Sequence, residues 1–191
     1  MAENPPQNEE NRPTKPVVLI GLMGAGKSRI GRELALRLDL PFVDADTEII
    51  KAAGCSVSDI FELYGEDAFR DVENRVISRL LIGKVQIIAT GGGAFMNLGI
   101  RKAIANHGIS LWLRAELDIL VERTSRRGGR PLLEGGEPKA ILKGLMDERY
   151  PVYAEADIVV DSKDVPIMTT VNETAAALSA YIDTQAGSPM P

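Results

Sequence analysis

The chain has 191 residues, of which 45% are hydrophobic and 26% are charged, and its formal net charge is −5. These values fit one soluble globular domain with a buried core, and the acidic balance gives no positive field that would attract nucleic acid or an anionic membrane. The apolar runs are strand-sized and too short to cross a bilayer. With one cysteine and one histidine, a disulfide framework and a metal site built on several such ligands are excluded. The chemistry must therefore depend on carboxylates, cations, backbone amides and a hard metal ion.

The two ends of the chain differ in composition from the rest. Residues 1–15 are rich in Pro, Asn and Glu and contain almost no apolar residues, which predicts a disordered tail. They lack the apolar segment of a secretory signal, so we expect a cytoplasmic protein. Residues 186–191 are predicted to form a second disordered end, which leaves residues 16–185 as one folded domain.

Between these ends, short apolar runs alternate with segments of helical spacing. The segment Arg29–Leu38 shows the helical pattern, with Ile30, Leu34 and Leu38 at four-residue steps. The alternation predicts an α/β layer fold with a mainly parallel sheet, whose ligands gather at the carboxyl ends of the strands. The predicted strands are Val17–Ile20, Pro41–Val43, Val85–Ala89, Ile109–Leu113 and Asp157–Val160, and the predicted helices are Lys27–Leu38, Ser56–Tyr64, Glu66–Ile82, Leu98–Asn106, Glu116–Arg126, Pro138–Arg149 and Thr169–Ile182.

The first predicted strand leads into Gly21-Leu-Met-Gly-Ala-Gly-Lys-Ser28, which matches the phosphate-loop pattern GxxxxGK[ST]. Glycines let the backbone curl so that several N–H groups point at an anion, and the following helix adds the positive end of its dipole. We expect Lys27 to reach the β- and γ-phosphates of ATP and the Ser28 hydroxyl to bind Mg²⁺. The motif predicts a nucleotide site, but switches, motors and kinases all share it.

Carboxylates after the predicted second strand are candidates for the metal site and the acceptor site. The strand Val85–Ala89 leads into Thr90 instead of the acid that ends a conventional Walker B strand. Asp44 and Asp46 follow the strand Pro41–Val43, and their side chains point the same way if the chain is still extended there. We expect Asp44 to orient Mg²⁺ or its waters, and Asp46 to bind an acceptor hydroxyl, either as the base that takes its proton or as a group that only positions it. Capping of the next helix is the structural alternative.

Two arginines and a glycine triplet are candidates for binding a small acceptor. Arg70 and Glu73 are three residues apart in a helical stretch and could simply pair on a solvated face. Arg149 is equally ambiguous by itself, but two arginines that converge on one site would bind a carboxylate through their guanidinium forks. A tight turn explains part of the triplet Gly91–Gly93. Because three glycines exceed what a turn requires, we expect a small ligand to lie against this backbone, in contact with Gly92.

A cationic, glycine-rich segment, Arg126–Glu137, interrupts the alternation of strands and helices. It is long for a connector and predicts a mobile lid, with a flexible surface loop as the alternative. We expect Arg130 to close over the phosphates, where it would stabilise charge on the transferred phosphoryl group and help to exclude water.

The motifs GLMGAGKS, FVDAD, FRDVE, TGGGA and RPLL, followed by Arg149 and Tyr153, occur in the order and approximate spacing found in shikimate kinases. The chain resembles this family over residues 16–185. The resemblance implies a three-layer α/β/α fold of the P-loop type, with a five-stranded parallel sheet and a mobile lid, as in nucleoside monophosphate kinases. It also implies transfer of the γ-phosphoryl group of ATP to the 3-hydroxyl of shikimate, giving shikimate 3-phosphate for aromatic amino acid biosynthesis.

The matching motifs imply roles for individual residues. Asp46 would bind the hydroxyls of shikimate and the two arginines its carboxylate, and Arg130 would be the lid arginine. A missing Walker B acid is usual in the family, which supports Asp44 as a metal-binding residue acting through water. The residues implied for catalysis are Lys27, Asp46 and Arg130, those for ATP are Gly24, Ala25, Gly26, Lys27, Ser28, Arg29, Arg123, Arg130 and Pro166, and those for shikimate are Asp46, Arg70, Gly91, Gly92, Gly93 and Arg149.

Three alternatives share part of these features. Another kinase of the same fold, acting on gluconate or a nucleotide, would also need an acid for hydroxyls and arginines for charge. A catalytically inactive nucleotide-binding module would show damage at Lys27, Ser28, Asp46 or Arg130, and all four are intact. A GTPase switch would carry an N/T-K-x-D segment, which the sequence lacks. We expect a monomeric small-molecule kinase without nucleic-acid or membrane partners.

Overall fold

The computed structural model describes residues 12–125 and 137–186. In this part of the chain, five parallel strands form one sheet in the order β2-β3-β1-β4-β5. The α/β class and the five-stranded parallel sheet are therefore confirmed. The strands are β1 (Val17–Ile20), β2 (Phe42–Asp44), β3 (Ile87–Ala89), β4 (Ile109–Arg114) and β5 (Ile158–Asp161).

Strand β1 lies at the centre of the sheet. Val17 pairs with Ile87 of β3 on one side and with Ile109 of β4 on the other. All residues of β1 are at most 2% exposed. Because successive strand residues point to opposite faces, their burial means that helices cover both faces of the sheet. The carboxyl end of β1 thus lies in the middle of the sheet edge, beside the ends of β3 and β4.

Seven helices connect and cover these strands within the described ranges. The two helices predicted on either side of Gly65 are confirmed as two segments of α3, because Gly65 has φ 81° and ψ 175°, outside the helical range. None of the helices in these ranges is both long enough and apolar enough to span a membrane. The helices are α1 (Lys27–Leu38), α2 (Ala45–Ala53), α3 (Val57–Leu81), α4 (Leu98–His107), α5 (Leu117–Ser125), α6 (Pro138–Tyr153) and α7 (Ile167–Ala186).

Helix α2 was not predicted, and the assumption of an extended chain at Asp46 is wrong. Asp44 is the last residue of β2 and also the N-cap of α2, where its side chain accepts a hydrogen bond from the N–H of Asp46. The strand therefore passes directly into the helix without a loop. Asp46 lies in the first turn of α2, not on an extended strand.

Helix α6 is longer than predicted. Its predicted end was Arg149, ahead of Pro151, but the helix continues to Tyr153. The N–H of Ala154 donates to the carbonyl of Tyr150, which closes the last turn although Pro151 has no N–H of its own. The extension places Tyr153 one turn beyond Arg149 on the same side of the helix.

Helix α1 packs very closely on the sheet at Gly31. A Cβ atom at this position would lie 2.7 Å from Cε2 of Phe42 and 2.8 Å from Cδ1 of Leu19. The absence of a side chain allows the helix backbone to approach strands β1 and β2. This approach fixes the helix whose N-terminus follows the phosphate loop.

The carboxyl end of α1 is held by Arg12. Its Nη2 donates to the carbonyls of Leu38 and Asp39 at 2.6 and 2.9 Å, and its Nε donates to Leu38 at 3.1 Å. Such carbonyls have no partner within the helix. Arg12 lies inside the tail predicted for residues 1–15. Its hydrogen bonds therefore attach the described part of that tail, which starts at residue 12, to the folded domain. The remainder of that predicted tail, residues 1–11, and residues 187–191 of the predicted end lie outside the described residues.

Candidate active site

The segment between β1 and α1 forms a tight loop at the centre of the sheet edge. Gly21, Gly24 and Gly26 have φ values of 148°, 86° and 96°, a conformation that residues with a Cβ rarely adopt. Gly26 is the N-cap of α1, and the first turn of this helix contains no acidic residue. The helix N-terminus and the loop amides therefore form a site that favours an anion.

Two side chains of the loop have the partners that phosphate and metal binding require. Lys27 Nζ donates to the carbonyls of Gly21 and Leu22 at 2.7 and 3.0 Å, so its ammonium group lies across the loop. Ser28 Oγ donates to Asp44 Oδ2 at 2.9 Å. A hydroxyl and a carboxylate side by side are oxygen ligands of the kind that Mg²⁺ takes, with water and phosphate completing its shell. Asp44 thus caps α2, as the structural alternative stated, and also adjoins the predicted metal ligand.

A cleft of about 580 Å³ runs along this edge of the sheet. Its walls contain Gly24, Gly26, Lys27, Ser28 and Arg29 from the loop and α1, Asp44 and Asp46 from the end of β2 and α2, Gly91 and Gly92 after β3, and Arg123 of α5. Ala25, also predicted for ATP binding, is buried within the loop. Most of the predicted nucleotide residues are therefore brought together around one cleft.

Arg123 connects α5 to the segment that follows β5. Its Nη1 donates to Ser162 Oγ at 2.8 Å and its Nη2 to the carbonyl of Lys163 at 2.6 Å. Ser162 and Val165 line the same cleft as Arg123. Of the two residues predicted for the adenine side, Arg123 lines the cleft, and Pro166 directly follows the lining residue Val165 without being part of the lining itself.

The glycine triplet Gly91–Gly93 after β3 is the point on which the predicted acceptor residues converge. A Cβ atom on the first glycine would lie 3.0 Å from Asp46 Oδ1, and one on the second would lie 3.4 Å from Arg149 Nη1. A Cβ atom on the third would lie 2.8 Å from Arg70 Nη1. The structure therefore brings one carboxylate and two guanidinium groups to a single stretch of bare backbone.

Glu73 was considered from the sequence only as a possible partner of Arg70 on a solvated face, and the structure shows the pair with the carboxylate buried. Its side chain is 2% exposed, and its Oε2 accepts a hydrogen bond from Arg70 Nη1 at 2.8 Å. Burial raises the pKa of Glu73, against the opposing effect of Arg70. The burial of Glu73 could have been predicted from helical periodicity, because Glu73 lies four residues after Phe69 and three before Val76, both buried.

The electrostatics of Asp46 suit a group that binds and accepts a proton. Burial and then the negative charge of Asp44 raise the pKa of Asp46, while Lys27 lowers it. A carboxylate with increased proton affinity is a better general base than an ordinary exposed aspartate. Together with two guanidinium groups, it forms a site for a molecule that carries both hydroxyls and a carboxylate.

Within the described ranges, no group of three or more His, Cys, Asp or Glu residues is arranged to hold a metal ion. Of the predicted lid, only Glu137 belongs to the described residues, as the N-cap of α6; Arg130 lies outside them.

Comparisons with known sequences identify relatives along most of the chain. The sequence model of the family described as shikimate kinase matches residues 23–179. A shikimate kinase from Rhodopseudomonas palustris is 55% identical over 168 residues, which cover 88% of this chain and 83% of the relative. A shikimate kinase from Brucella canis is 51% identical over 170 residues, which cover 89% of this chain and 85% of the relative.

Solved structures show the same relationship. A shikimate kinase from Acinetobacter baumannii in complex with shikimate is similar with a TM-score of 0.80 at 32% identity, over 91% of this chain and 96% of that one. A gluconokinase from Sinorhizobium meliloti has a TM-score of 0.64 at 19% identity, over 92% and 97% of the two chains, and this likeness shows the shared fold alone. Because the family match and the sequence relatives extend over most of its length, the chain belongs to the shikimate kinase family.

Proposed function

We propose that this protein transfers the γ-phosphoryl group of ATP to the 3-hydroxyl of shikimate and releases ADP and shikimate 3-phosphate. The observation that carries the proposal is the convergence of Asp46, Arg70 and Arg149 on the glycine triplet next to the phosphate loop. A Cβ atom on Gly92 would lie 3.5 Å from the carbonyl oxygen of Gly21. A site for a carboxylated polyol and a site for phosphates are therefore immediate neighbours.

On the donor side, the amides of residues 24–29 and the ammonium group of Lys27 bind the β- and γ-phosphates. Ser28, and Asp44 through water, would hold Mg²⁺, which when bound would supply positive charge to the phosphates. Lys27 exchanges part of its bonding to the loop carbonyls for phosphate oxygens. Arg123 and Pro166 flank the adenine, and Arg130 completes the charge around the transferred group when the lid closes.

On the acceptor side, Arg70 and Arg149 bind the carboxylate of shikimate and so fix the orientation of its ring. Asp46 accepts a hydrogen bond from the 3-hydroxyl, holds it in line with the γ-phosphorus, and takes its proton as the new P–O bond forms. The bare backbone of the triplet allows the ring to lie against it. Glu73 acts through Arg70, whose guanidinium group it holds from the buried side.

An acceptor screen tests the proposal. ADP release is measured in a coupled assay with ATP, Mg²⁺ and either shikimate, the methyl ester of shikimate, gluconate or AMP, and the product is identified by mass spectrometry. We expect turnover with shikimate, a raised KM for the ester because it has no carboxylate for the arginines, and background rates with gluconate and AMP. The Lys27→Ala variant serves as the control for background ATP hydrolysis. Turnover that requires gluconate or AMP and ignores shikimate would contradict the proposed function.

A further inference from the structure

Tyr153 is among the largest fully buried side chains of the protein, with 0% exposure. It lies in the last turn of α6, and its hydroxyl donates a hydrogen bond to the carbonyl of Gly92. Its ring packs against those of Trp112, Tyr150 and Phe95, with centroid distances of 5.8, 6.1 and 6.4 Å. The aromatic cluster thus fixes the ring, and the ring presents a single polar atom to the glycine triplet.

The bond from Tyr153 determines how one peptide group of the triplet is oriented. The described chain contains no cis peptide bond, so the C=O of Gly92 and the N–H of Gly93 point in opposite directions. Anchoring the carbonyl to a buried tyrosine therefore turns the amide of Gly93 away from the core. Glycines have the widest conformational range of any residue, so a triplet depends on outside contacts for a defined shape.

The side chain of Arg149 lies next to the same glycine, Gly92. It precedes Tyr153 by one turn on α6, and its Nη1 would lie 3.4 Å from a Cβ atom on Gly92. Among the described residues, Arg149 Nε is buried and has no hydrogen-bond partner. The direction of the guanidinium group is therefore not set by a bond from its own Nε, whereas a side-chain hydrogen bond links Arg149 to the hydroxyl of Tyr153.

The hydroxyl of Tyr153 remains a donor over the whole working pH range. Burial raises its pKa to about 12, and the nearby positive charge of Arg149 opposes that rise. The hydroxyl therefore keeps the proton with which it donates to the carbonyl of Gly92.

We propose that Tyr153 is a positioning residue for the acceptor: its hydroxyl holds the glycine triplet, and with it the guanidinium group of Arg149, in the arrangement that binds the carboxylate of the substrate. This inference rests on the proposed function, because the substrate in question is shikimate. Tyr153 itself touches neither the substrate nor the phosphates. Without the Tyr153 hydroxyl the glycine triplet becomes more mobile, and the binding of shikimate then has to order the triplet.

The variant Tyr153→Phe removes the hydroxyl and keeps the ring. Loss of one buried hydrogen bond corresponds to about a tenfold change in an equilibrium constant. We expect a rise of about that size in the KM for shikimate and in its Kd from calorimetry, with the KM for ATP changed by less than about twofold. The matched control is Tyr150→Phe, on the same helix as Tyr153, which removes a hydroxyl that donates to the carbonyl of Ala115 after β4. We expect it to leave both KM values close to those of the unmodified protein.

Melting temperatures and the amide signal of Gly93 in a ¹H–¹⁵N spectrum separate positioning from general destabilisation. The inference predicts that the Gly93 signal shifts in Tyr153→Phe and not in Tyr150→Phe. If Tyr153→Phe only melts earlier, with an unchanged KM and Kd for shikimate, the inference is overturned. Equal changes in the KM values for shikimate and ATP would overturn it too. If the unmodified protein neither phosphorylates nor binds shikimate, the proposed function fails, and this outcome is distinct from either result with the variants.

Discussion

Arg70 forms two ion pairs, one with a solvent-exposed glutamate and one with a buried glutamate. On one side its guanidinium group bonds to Glu66 at 3.0 Å, where the glutamate side chain is 66% exposed, and on the other to Glu73 at 2.8 Å, where the carboxylate is 2% exposed. A buried carboxylate without a cation is costly, so this arginine stabilises the folded chain in addition to its proposed role in binding the substrate. Any substitution of Arg70 consequently has two effects that must be separated.

We predict that Arg70→Ala raises the KM for shikimate far more than the KM for ATP and also lowers stability. The stability cost is about 1–3 kcal/mol, because the pair with Glu73 is buried on one side and solvated on the other. Without the arginine, the pKa of Glu73 rises further above its ordinary value of 4.5. Stability is then lost as pH rises through that raised pKa, so the deficit in melting temperature is small in acid and grows towards neutral pH.

The double variant Arg70→Ala/Glu73→Gln is the control. Replacing the buried carboxylate by an amide should restore most of the melting temperature and remove the pH dependence caused by Glu73. The KM for shikimate should stay high. Recovery of the KM together with the melting temperature would show that Arg70 has only a structural role.

At this scale, the sequence predicted which side chains meet but not how each one is held. The set of Asp46, Arg70 and Arg149 around the glycine triplet was expected, and the structure brings them together. The pairing of Arg70 with Glu73 was considered, but the burial of Glu73 was not predicted because a three-residue spacing fits a solvated pair as well as a half-buried one. Only the packing of α3 against the core decides between these two environments.

Helix α1 connects the phosphate loop to the sheet, and Gly31 determines how closely it lies. We predict that Gly31→Ala destabilises the protein by about 1–3 kcal/mol, since the added methyl group would overlap Phe42 and Leu19. A displacement of α1 also moves the loop amides, so the KM for ATP should rise. Thermal unfolding and steady-state kinetics measure the two effects.

Gly144→Ala is the matched control for this change. Gly144 lies within α6, and a Cβ atom there would have no neighbour within 4 Å. The alanine should therefore stabilise the protein by about 0.5–1 kcal/mol by restricting the unfolded chain and favouring the helix, with unchanged kinetics. A Gly31→Ala variant as stable as Gly144→Ala would contradict the close packing of α1.

Most elements were predicted to within one or two residues of their ends. The larger errors are the missed helix α2 and the C-terminal ends of α6 and α7, each of which lies four residues beyond its prediction. Helix α2 was missed because Asp44 ends a strand and caps a helix at the same residue, so no turn residues separate the two elements. Helix α6 was predicted to end before Pro151 because proline lacks an N–H. The loss of one hydrogen bond in a last turn is tolerated when the following residues close it.

For the molecule as a whole, the strand order determines the function more directly than any single residue. Strand β3 is next to β1, so the glycine triplet at the end of one adjoins the phosphate loop at the end of the other. Sequence periodicity predicted a parallel α/β sheet but could not order its strands, because each apolar run fits any interior position. The five strands were predicted from the apolar runs, and the resemblance to shikimate kinases implied the same number.

The most direct test of the account is a crystal structure of the protein with ADP, Mg²⁺ and shikimate bound together. We predict that the ADP phosphates lie within the loop ahead of Lys27, the shikimate carboxylate lies between Arg70 and Arg149, and the 3-hydroxyl is within hydrogen-bonding distance of Asp46. Shikimate bound elsewhere, or bound with its carboxylate turned away from both arginines, would contradict it.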